Sequence, residues 1–395
     1  MRYLLSALLV CVAISPSLAE EPPADFFPIM AYDHMPNDPA VLEKVRACGF
    51  TVAGFVAPET LDACQAAGLK AIVFHPATYD YDWQNVDAEA ARARVAKLAA
   101  RVKDHPAVYG YYLRDEPNAS YFPGLAIVAD AVKTNDPGAW PYMNLFPNYA
   151  NAGQLGSPSY DAHIEQFIKT CDPPILSYDH YALLEGGDLR ESYFANLESM
   201  RRASVAHDIP FWNIVLSSAH FNYREPTPAD FRFQAFTSLA YGARGLAYFQ
   251  YFTPDRGNYR MGPIDQFGHE TPTWDALRNV NLQVARLAPT LLKLHSQRAY
   301  HFGTVPQGCH APGEESFIKA IGGPLLVGDF IHDDGTHYVM IVNRDVTASV
   351  PCAPQFREPV KTLQRVSSFT GNLLPFAGEN VWLAPGQGML LKVTR

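Results

Sequence analysis

The chain has 395 residues, of which 48% are hydrophobic and 12% aromatic, and its formal net charge is −9. This length suits one large domain with a smaller one, and the apolar content is sufficient for a sizeable core. The acidic balance and the lack of any run of lysines and arginines argue against nucleic acid or an anionic membrane surface as a partner.

The first residues predict an export signal. Arg2 precedes an apolar run over 4–14, and Ser17-Leu18-Ala19 provides small residues at a cleavage position. The run is too short to remain as a permanent membrane anchor, and we expect no membrane span elsewhere. We therefore assign 1–19 to a signal peptide and expect a secreted or periplasmic protein.

The cysteines outside the signal segment have spacings compatible with disulfides. An oxidising compartment permits such bonds, and Cys48 with Cys64, and Cys309 with Cys352, are the plausible pairs, with Cys171 left over. No CxxC motif and no Cys/His ligand spacing occurs, so a structural zinc site is not expected.

Short apolar runs alternate with helical patterns over about the first 290 residues, which predicts strands separated by helices. In one helical segment Ala91, Val95 and Leu98 share a face. Nearly all-apolar strands indicate a parallel sheet covered by helices. The predicted strands are FFPIMAYDH, FTVAGFVAP, KAIVFHPA, VYGYYLRDE, PYMNLF, ILSYDHYA, FWNIVLSS and GLAYFQYF.

Eight such units predict an α/β fold of the (β/α)8 TIM-barrel type over 20–298. A doubly wound sheet is the alternative, but no glycine-rich phosphate loop follows the first strand. After the long helical segment WDALRNVNLQVARLAPTLLKL the pattern changes to alternating runs such as HYVMIVNRD and GMLLKVTR. These runs predict a small antiparallel β-sandwich domain over 299–395.

The predicted strands end in groups that ionise or form hydrogen bonds. In a parallel barrel the carboxyl ends of all strands face one mouth, where active sites are built. This position makes the strand ends candidate site residues. They are, in chain order, Asp33, His34, His75, Arg114, Asp115, Glu116, Asn144, Asp179, His180, Tyr181, His220, Glu225 and Gln250.

The segment YYLRDEPN places a glutamate followed by proline at the end of the fourth strand. It resembles the retaining glycoside hydrolases of the large (β/α)8 clan, the β-galactosidases of glycoside hydrolase family 42 among them. In that clan an Asn-Glu-Pro at this position carries the general acid/base. The resemblance implies that Glu116 is the acid/base and that Asp115 replaces the asparagine that contacts the sugar 2-hydroxyl.

The sequence departs from that clan at the seventh strand, where the clan places its nucleophilic glutamate and FWNIVLSSAH has none. Glycoside hydrolysis needs a second carboxyl beside the acid, and Asp179 or Glu225 could supply it. Asp115 need not pair with Glu116, because adjacent strand residues point to opposite sides.

Three hypotheses follow. The first is an exported glycosidase acting on a poly- or oligosaccharide without a cofactor, with catalytic Glu116 and Asp179 or Glu225. The second is a metal-dependent barrel isomerase or hydrolase with zinc or manganese bound by His75, Glu116, Asp179 and His220. The third is a glycan-binding relative that lost its nucleophile. In the first hypothesis the substrate-binding residues are Asp33, His75, Asp115, Asn144, His180, Tyr181, His220 and Gln250.

Overall fold

The computed structural model describes residues 26–378 and 380–395. The predicted signal peptide at 1–19 lies outside these ranges. Within them, no helix combines the length and the apolar character needed to cross a lipid bilayer.

Eight parallel strands close into a barrel in which each strand pairs with its sequence neighbours and β1 pairs with β8. The (β/α)8 prediction is therefore confirmed, and the doubly wound alternative is wrong. The strands are β1 (Ile29–Ala31), β2 (Val52–Val56), β3 (Lys70–Val73), β4 (Val108–Asp115), β5 (Trp140–Leu145), β6 (Leu176–Asp179), β7 (Phe211–Leu216) and β8 (Gly245–Phe249).

Helices cover the outside of the barrel because each one has a single apolar face. The helix Ala88–Val102 begins at Asp87, whose carboxylate accepts hydrogen bonds from two backbone N–H groups, and it buries Ala91, Val95 and Leu98 against the strands. The helices are α1 (Pro39–Ala47), α2 (Leu61–Ala66), α3 (Pro76–Tyr79), α4 (Ala88–Val102), α5 (Phe122–Asn135), α6 (Ala152–Leu155), α7 (Tyr160–Cys171), α8 (Tyr193–His207), α9 (Pro228–Ala240) and α10 (Pro272–Leu291).

The C-terminal region is antiparallel, as predicted. Six of its strands form one sheet in the order β16-β15-β18-β12-β11-β9, and two further pairs, β10 with β14 and β13 with β17, form small sheets. The strands are β9 (Leu294–His301), β10 (Ile318–Ala320), β11 (Leu325–His332), β12 (His337–Asn343), β13 (Val350–Pro351), β14 (Gln355–Phe356), β15 (Thr362–Val366), β16 (Leu373–Pro375), β17 (Trp382–Leu383) and β18 (Gly388–Thr394).

The six-stranded sheet separates two hydrophobic clusters. One face packs on the barrel through residues such as Phe330 and Met340, and the other buries Val339 and Ile341 in a second core. Side chains alternate between the two faces because the strand period is two. Gly328 lets the sheet approach α9 closely, since a Cβ there would lie 2.0 Å from the carbonyl oxygen of Ala240.

The disulfide expectation is wrong, because Cys48, Cys64, Cys171, Cys309 and Cys352 are all free thiols. Cys309 packs against the cluster shared with the barrel, whereas Cys352 lies in the cluster on the other face of the sheet. The remaining three are fully or almost fully buried in the barrel and behave as small apolar residues.

Candidate active site

The carboxyl ends of several barrel strands open into a cavity of about 260 Å³, called here the acidic cavity. Six residues predicted from the strand ends meet there, and aromatic side chains complete its wall. The lining residues are Tyr32, Asp115, Glu116, Asn144, Tyr149, Asp179, Tyr181, His220, Phe221, Tyr223, Phe249 and Tyr259.

Glu116 reaches the acidic cavity because the backbone changes direction at that residue. Strand β4 ends at Asp115, and Glu116 has a φ of 44°, in the left-handed region that residues with a side chain rarely adopt. Its N–H still donates to the carbonyl oxygen of Asn144 at 2.8 Å. The strand alternation is broken at this point, so Asp115 and Glu116 face the same cavity rather than opposite sides.

Asn144 joins two of the carboxyls. Its Nδ2 donates to Asp115 Oδ1 and to Asp179 Oδ1, both at 2.9 Å. The amide is oriented because Ser177 Oγ donates to Asn144 Oδ1 at 3.0 Å, which leaves the NH2 group facing the acids. Asp115 Oδ1 also accepts from the Tyr32 hydroxyl at 2.8 Å.

The carboxyl groups of the acidic cavity resist ionisation. Burial and the charge of Asp115 raise the pKa of Glu116 to about 7, although the effect of Asp179 lowers it. Burial, followed by the charges of Glu116 and Asp115, raises the pKa of Asp179 well above its ordinary value. Ionising several neighbouring carboxyls together costs much free energy in a site with little water, so the group keeps a proton near neutral pH.

Glu116 and Asp179 form a pair of neighbouring carboxyls, since both line the acidic cavity and the charge of Glu116 raises the pKa of Asp179. Because the ionisation of one group changes the pKa of the other, the pair titrates as a unit.

Aromatic rings form the wall beside this pair. Tyr181 and Phe249 stack with centroids 5.5 Å apart, and His220 stacks on Tyr259 at 4.8 Å with an angle of 7° between the planes. His220 Nδ1 lies 2.9 Å from the carbonyl oxygen of Ser218. Because a carbonyl only accepts, Nδ1 carries the hydrogen, and Nε2 is left as an acceptor in the neutral ring.

A second space of about 320 Å³ adjoins the acidic cavity and shares Tyr32, Asp115 and Phe249 with it. Asp33 and Gln250 line this space. The Asp33 carboxylate accepts from the N–H groups of His34 at 2.8 Å and Phe252 at 2.9 Å. Burial raises the pKa of Asp33 to about 6, although those hydrogen bonds lower it.

Three predicted site residues line neither space. His75 caps α3, with its Nδ1 accepting from the N–H of Ala77 at 3.1 Å. His180 is fully buried and its Nε2 lies 3.3 Å from Ser192 Oγ. Glu225 is half-exposed and bonds to Arg260 at 3.1 Å. The structure thus does not bring them to the carboxyl pair.

The ligand set of the metal-dependent alternative is not assembled, because His75 lies apart from Glu116, Asp179 and His220. In the ranges that the structure describes, no three or more His, Cys, Asp or Glu side chains are grouped so as to hold a metal ion.

Sequence reasoning missed most of the aromatic wall. Tyr32 could have been found, since it directly precedes Asp33 at the end of β1 and one of two neighbouring strand residues faces the mouth. The loop residues Tyr149, Tyr223 and Tyr259 carry no comparable signal, because their positions depend on how long loops fold back over the barrel.

Comparison with known proteins finds similarity in structure but not in sequence. No protein family matches the sequence, and no curated protein is detectably similar to it. A glycoside hydrolase family 5 structure from Bacteroides vulgatus matches 93% of this chain and 89% of that one, with a TM-score of 0.60 at 14% identity. Another structure, described as a glycoside hydrolase, gives 0.59 at 14% identity over 93% and 92%.

The β-galactosidase from the psychrophilic Marinomonas ef1 matches 68% of this chain with a TM-score of 0.51 at 12% identity. The match spans 62% of that protein, less than two thirds of its length. The names of these neighbours agree with the clan-level resemblance, whereas a particular likeness to family 42 is not confirmed. At such identities the comparisons establish a shared barrel fold.

Proposed function

We propose that this protein is an exported glycosidase that hydrolyses O-glycosidic bonds of an oligo- or polysaccharide with the Glu116–Asp179 pair. The observation that carries the proposal is the meeting of these two carboxyls in the acidic cavity at the C-terminal mouth of the barrel. Active sites of this fold are built at that mouth. The predicted signal peptide supports a secreted or periplasmic location.

The pair contains the two protonation states that the reaction needs. The shared proton passes to the leaving glycosidic oxygen, while the ionised carboxyl attacks the anomeric carbon or takes a proton from water. We assign the acid/base role to Glu116, because a pKa of about 7 lets it give up and regain a proton near neutral pH. Asp179 is then the second carboxyl.

The neighbouring groups fit sugar recognition. Asp115, Asn144 and the Tyr32 hydroxyl form one hydrogen-bonded row at the cavity floor, which can bind the hydroxyls of a sugar. The stacked Tyr181 and Phe249 rings offer an apolar face. A few convergent polar groups in a largely aromatic cavity are typical of small-molecule sites.

Turnover of a panel of aryl glycosides and polysaccharides tests this function. Glu116→Gln and Asp179→Asn should each lose roughly 10²–10⁴-fold in kcat, the usual contribution of general acid–base catalysis. Glu225→Gln is the matched control, because this glutamate bonds to Arg260 away from the pair, and it should retain turnover. Unchanged turnover in folded Glu116→Gln would refute the assignment.

A second candidate is glycan binding without cleavage. It is favoured by the end of β7, where Ser217 and Ser218 stand in place of an acid. Saturable binding of an oligosaccharide by the wild-type chain, with no product after prolonged incubation, would favour this candidate over the first.

A further inference from the structure

Phe221 is an exposed aromatic residue at the rim of the acidic cavity. The residue is 68% exposed, although it lines the cavity beside His220 and Tyr259. Its backbone has a φ of 48°. For a bulky residue this left-handed conformation is an outlier that costs free energy, so its presence at a cavity rim needs an explanation.

The backbone of Phe221 is fixed by a side chain from another loop. Asn258 Oδ1 accepts from the Phe221 N–H at 2.7 Å, and Asn258 Nδ2 donates to the Phe221 carbonyl oxygen at 2.8 Å. These two hydrogen bonds satisfy both main-chain groups of a residue that belongs to no helix or strand. The conformation is therefore held from outside rather than by the packing of the phenyl ring.

The rest of this loop is held as well. Ala219 and Arg260 exchange two backbone hydrogen bonds of 3.0 Å. Arg260 also bonds to Glu225 at 3.1 Å and to Glu185 at 2.9 Å. Three loops at the mouth are thereby joined, so the Phe221 ring stands on a supported backbone.

The ring of Phe221 continues the aromatic wall outward. Its centroid lies 5.1 Å from that of His220 and 6.3 Å from that of Tyr259. An exposed ring gains little from folding, since apolar area contributes only when it is removed from water. A glycine would fit the left-handed backbone at no steric cost. The phenyl group thus contributes little to the fold and is available to a ligand.

We propose that Phe221 is a platform for a sugar ring that lies just outside the acidic cavity. The C–H face of a neutral pyranose would pack on the negative face of the phenyl ring. This inference rests on the proposed function for the position of the scissile bond. It extends that function by requiring a substrate of at least two sugar residues, one at the carboxyl pair and one on Phe221.

Calorimetric binding to the Glu116→Gln protein, which should not consume its ligand, tests the platform. The probes are tetrasaccharides of glucose, xylose, mannose and galactose and the matching monosaccharides. Adding Phe221→Ala to the Glu116→Gln parent should weaken binding of the preferred tetrasaccharide roughly tenfold, the size expected for one lost aromatic contact. The loss should be smaller for the monosaccharide, and Phe221→Trp should restore affinity.

Phe267→Ala is the matched control, because Phe267 is 78% exposed and does not line the acidic cavity; it should bind like the parent. Phe221→Gly separates a ligand role from a structural one. It should lose affinity as Phe221→Ala does while its melting temperature stays equal or rises, since glycine accepts a positive φ.

Three results would overturn the platform. They are equal tetrasaccharide affinity in Phe221→Ala and the parent, a lowered melting temperature in Phe221→Gly, and no saturable binding of any tetrasaccharide to the parent. Wild-type hydrolysis is measured separately. Binding that depends on Phe221 without hydrolysis supports the platform and refutes the glycosidase, whereas hydrolysis unaffected by Phe221→Ala supports the glycosidase and refutes the platform.

Discussion

Replacing Glu116 by glutamine should stabilise the protein increasingly as the pH rises. The pKa of Glu116 is raised from 4.5 to about 7 in the folded chain, first by burial and then by the charge of Asp115. Below pH 4.5 the carboxyl is protonated in both the folded and the unfolded state, and it contributes no pH dependence. Above that value the unfolded chain ionises while the folded chain does not.

The size of the effect follows from this interval. Each pH unit over which only the unfolded state ionises lowers the free energy of unfolding by about 1.4 kcal/mol, which gives at most roughly 3 kcal/mol between pH 4.5 and 7. Glutamine has nearly the same shape and never ionises. The free energy of unfolding of Glu116→Gln, relative to wild type, should therefore rise by about this amount and level off above pH 7.

Urea unfolding followed by circular dichroism at pH 4.5, 6 and 7.5 measures the difference directly. Glu225→Gln serves as the control for the loss of one negative charge, because Glu225 is half-exposed and lies outside the acidic cavity. A difference that is constant with pH, or that shrinks as the pH rises, would contradict the reasoning. Glu116 would then ionise freely, and the carboxyl pair could not hold a proton.

Further predictions concern the amide bridge, a buried ion pair and the thiols. Asn144→Ala removes hydrogen bonds that lower the pKa of Asp115 and Asp179. Because Asp179 is the carboxyl that must be ionised, the acidic limb of the pH–turnover profile should move to higher pH. Arg224→Ala removes the ion-pair partner of the fully buried Asp230 and should lower the free energy of unfolding in urea by about 3–5 kcal/mol. Arg202→Ala breaks an exposed ion pair and should lower it by about 1 kcal/mol or less. Thiol titration of the unfolded chain lacking 1–19 should find five reactive groups; fewer would indicate disulfides.

The fold was predictable because the barrel imposes a strong pattern. Strands such as β2 and β7 are buried at every position, which produces the continuous apolar runs visible in the sequence. The helices between them have one apolar face, and the change to alternating runs after α10 marks the antiparallel sheets. These features are local periodicities, and they can be read from the sequence without knowing which distant residues are in contact.

The site was predictable only in part. Strand ends correctly indicated that Asp115, Glu116, Asn144 and Asp179 lie near one another, because parallel strands end at the same mouth. The direction of each side chain depends on the last backbone dihedrals, as the φ of 44° at Glu116 illustrates. His180 follows Asp179 directly but points away from the cavity, and nothing in the local sequence separates the two.

The barrel register explains how Asp179 on β6 comes to lie near Glu116. Asp115 on β4 is opposite Asn144 on β5, and Asn144 is opposite Ser177 on β6, so the three strands present one row at the mouth. Strands are about 4.8 Å apart, which places β4 and β6 roughly 10 Å from each other. A glutamate side chain from one side and an aspartate side chain from the other can both reach the cavity between these strands, where Asn144 bonds to the aspartate. An acid on β7 would be one strand further from Glu116, so the proximity of the two carboxyls is a consequence of using β6. In the proposed reaction the sugar lies beside both carboxyls, and its glycosidic oxygen accepts the proton that the pair holds.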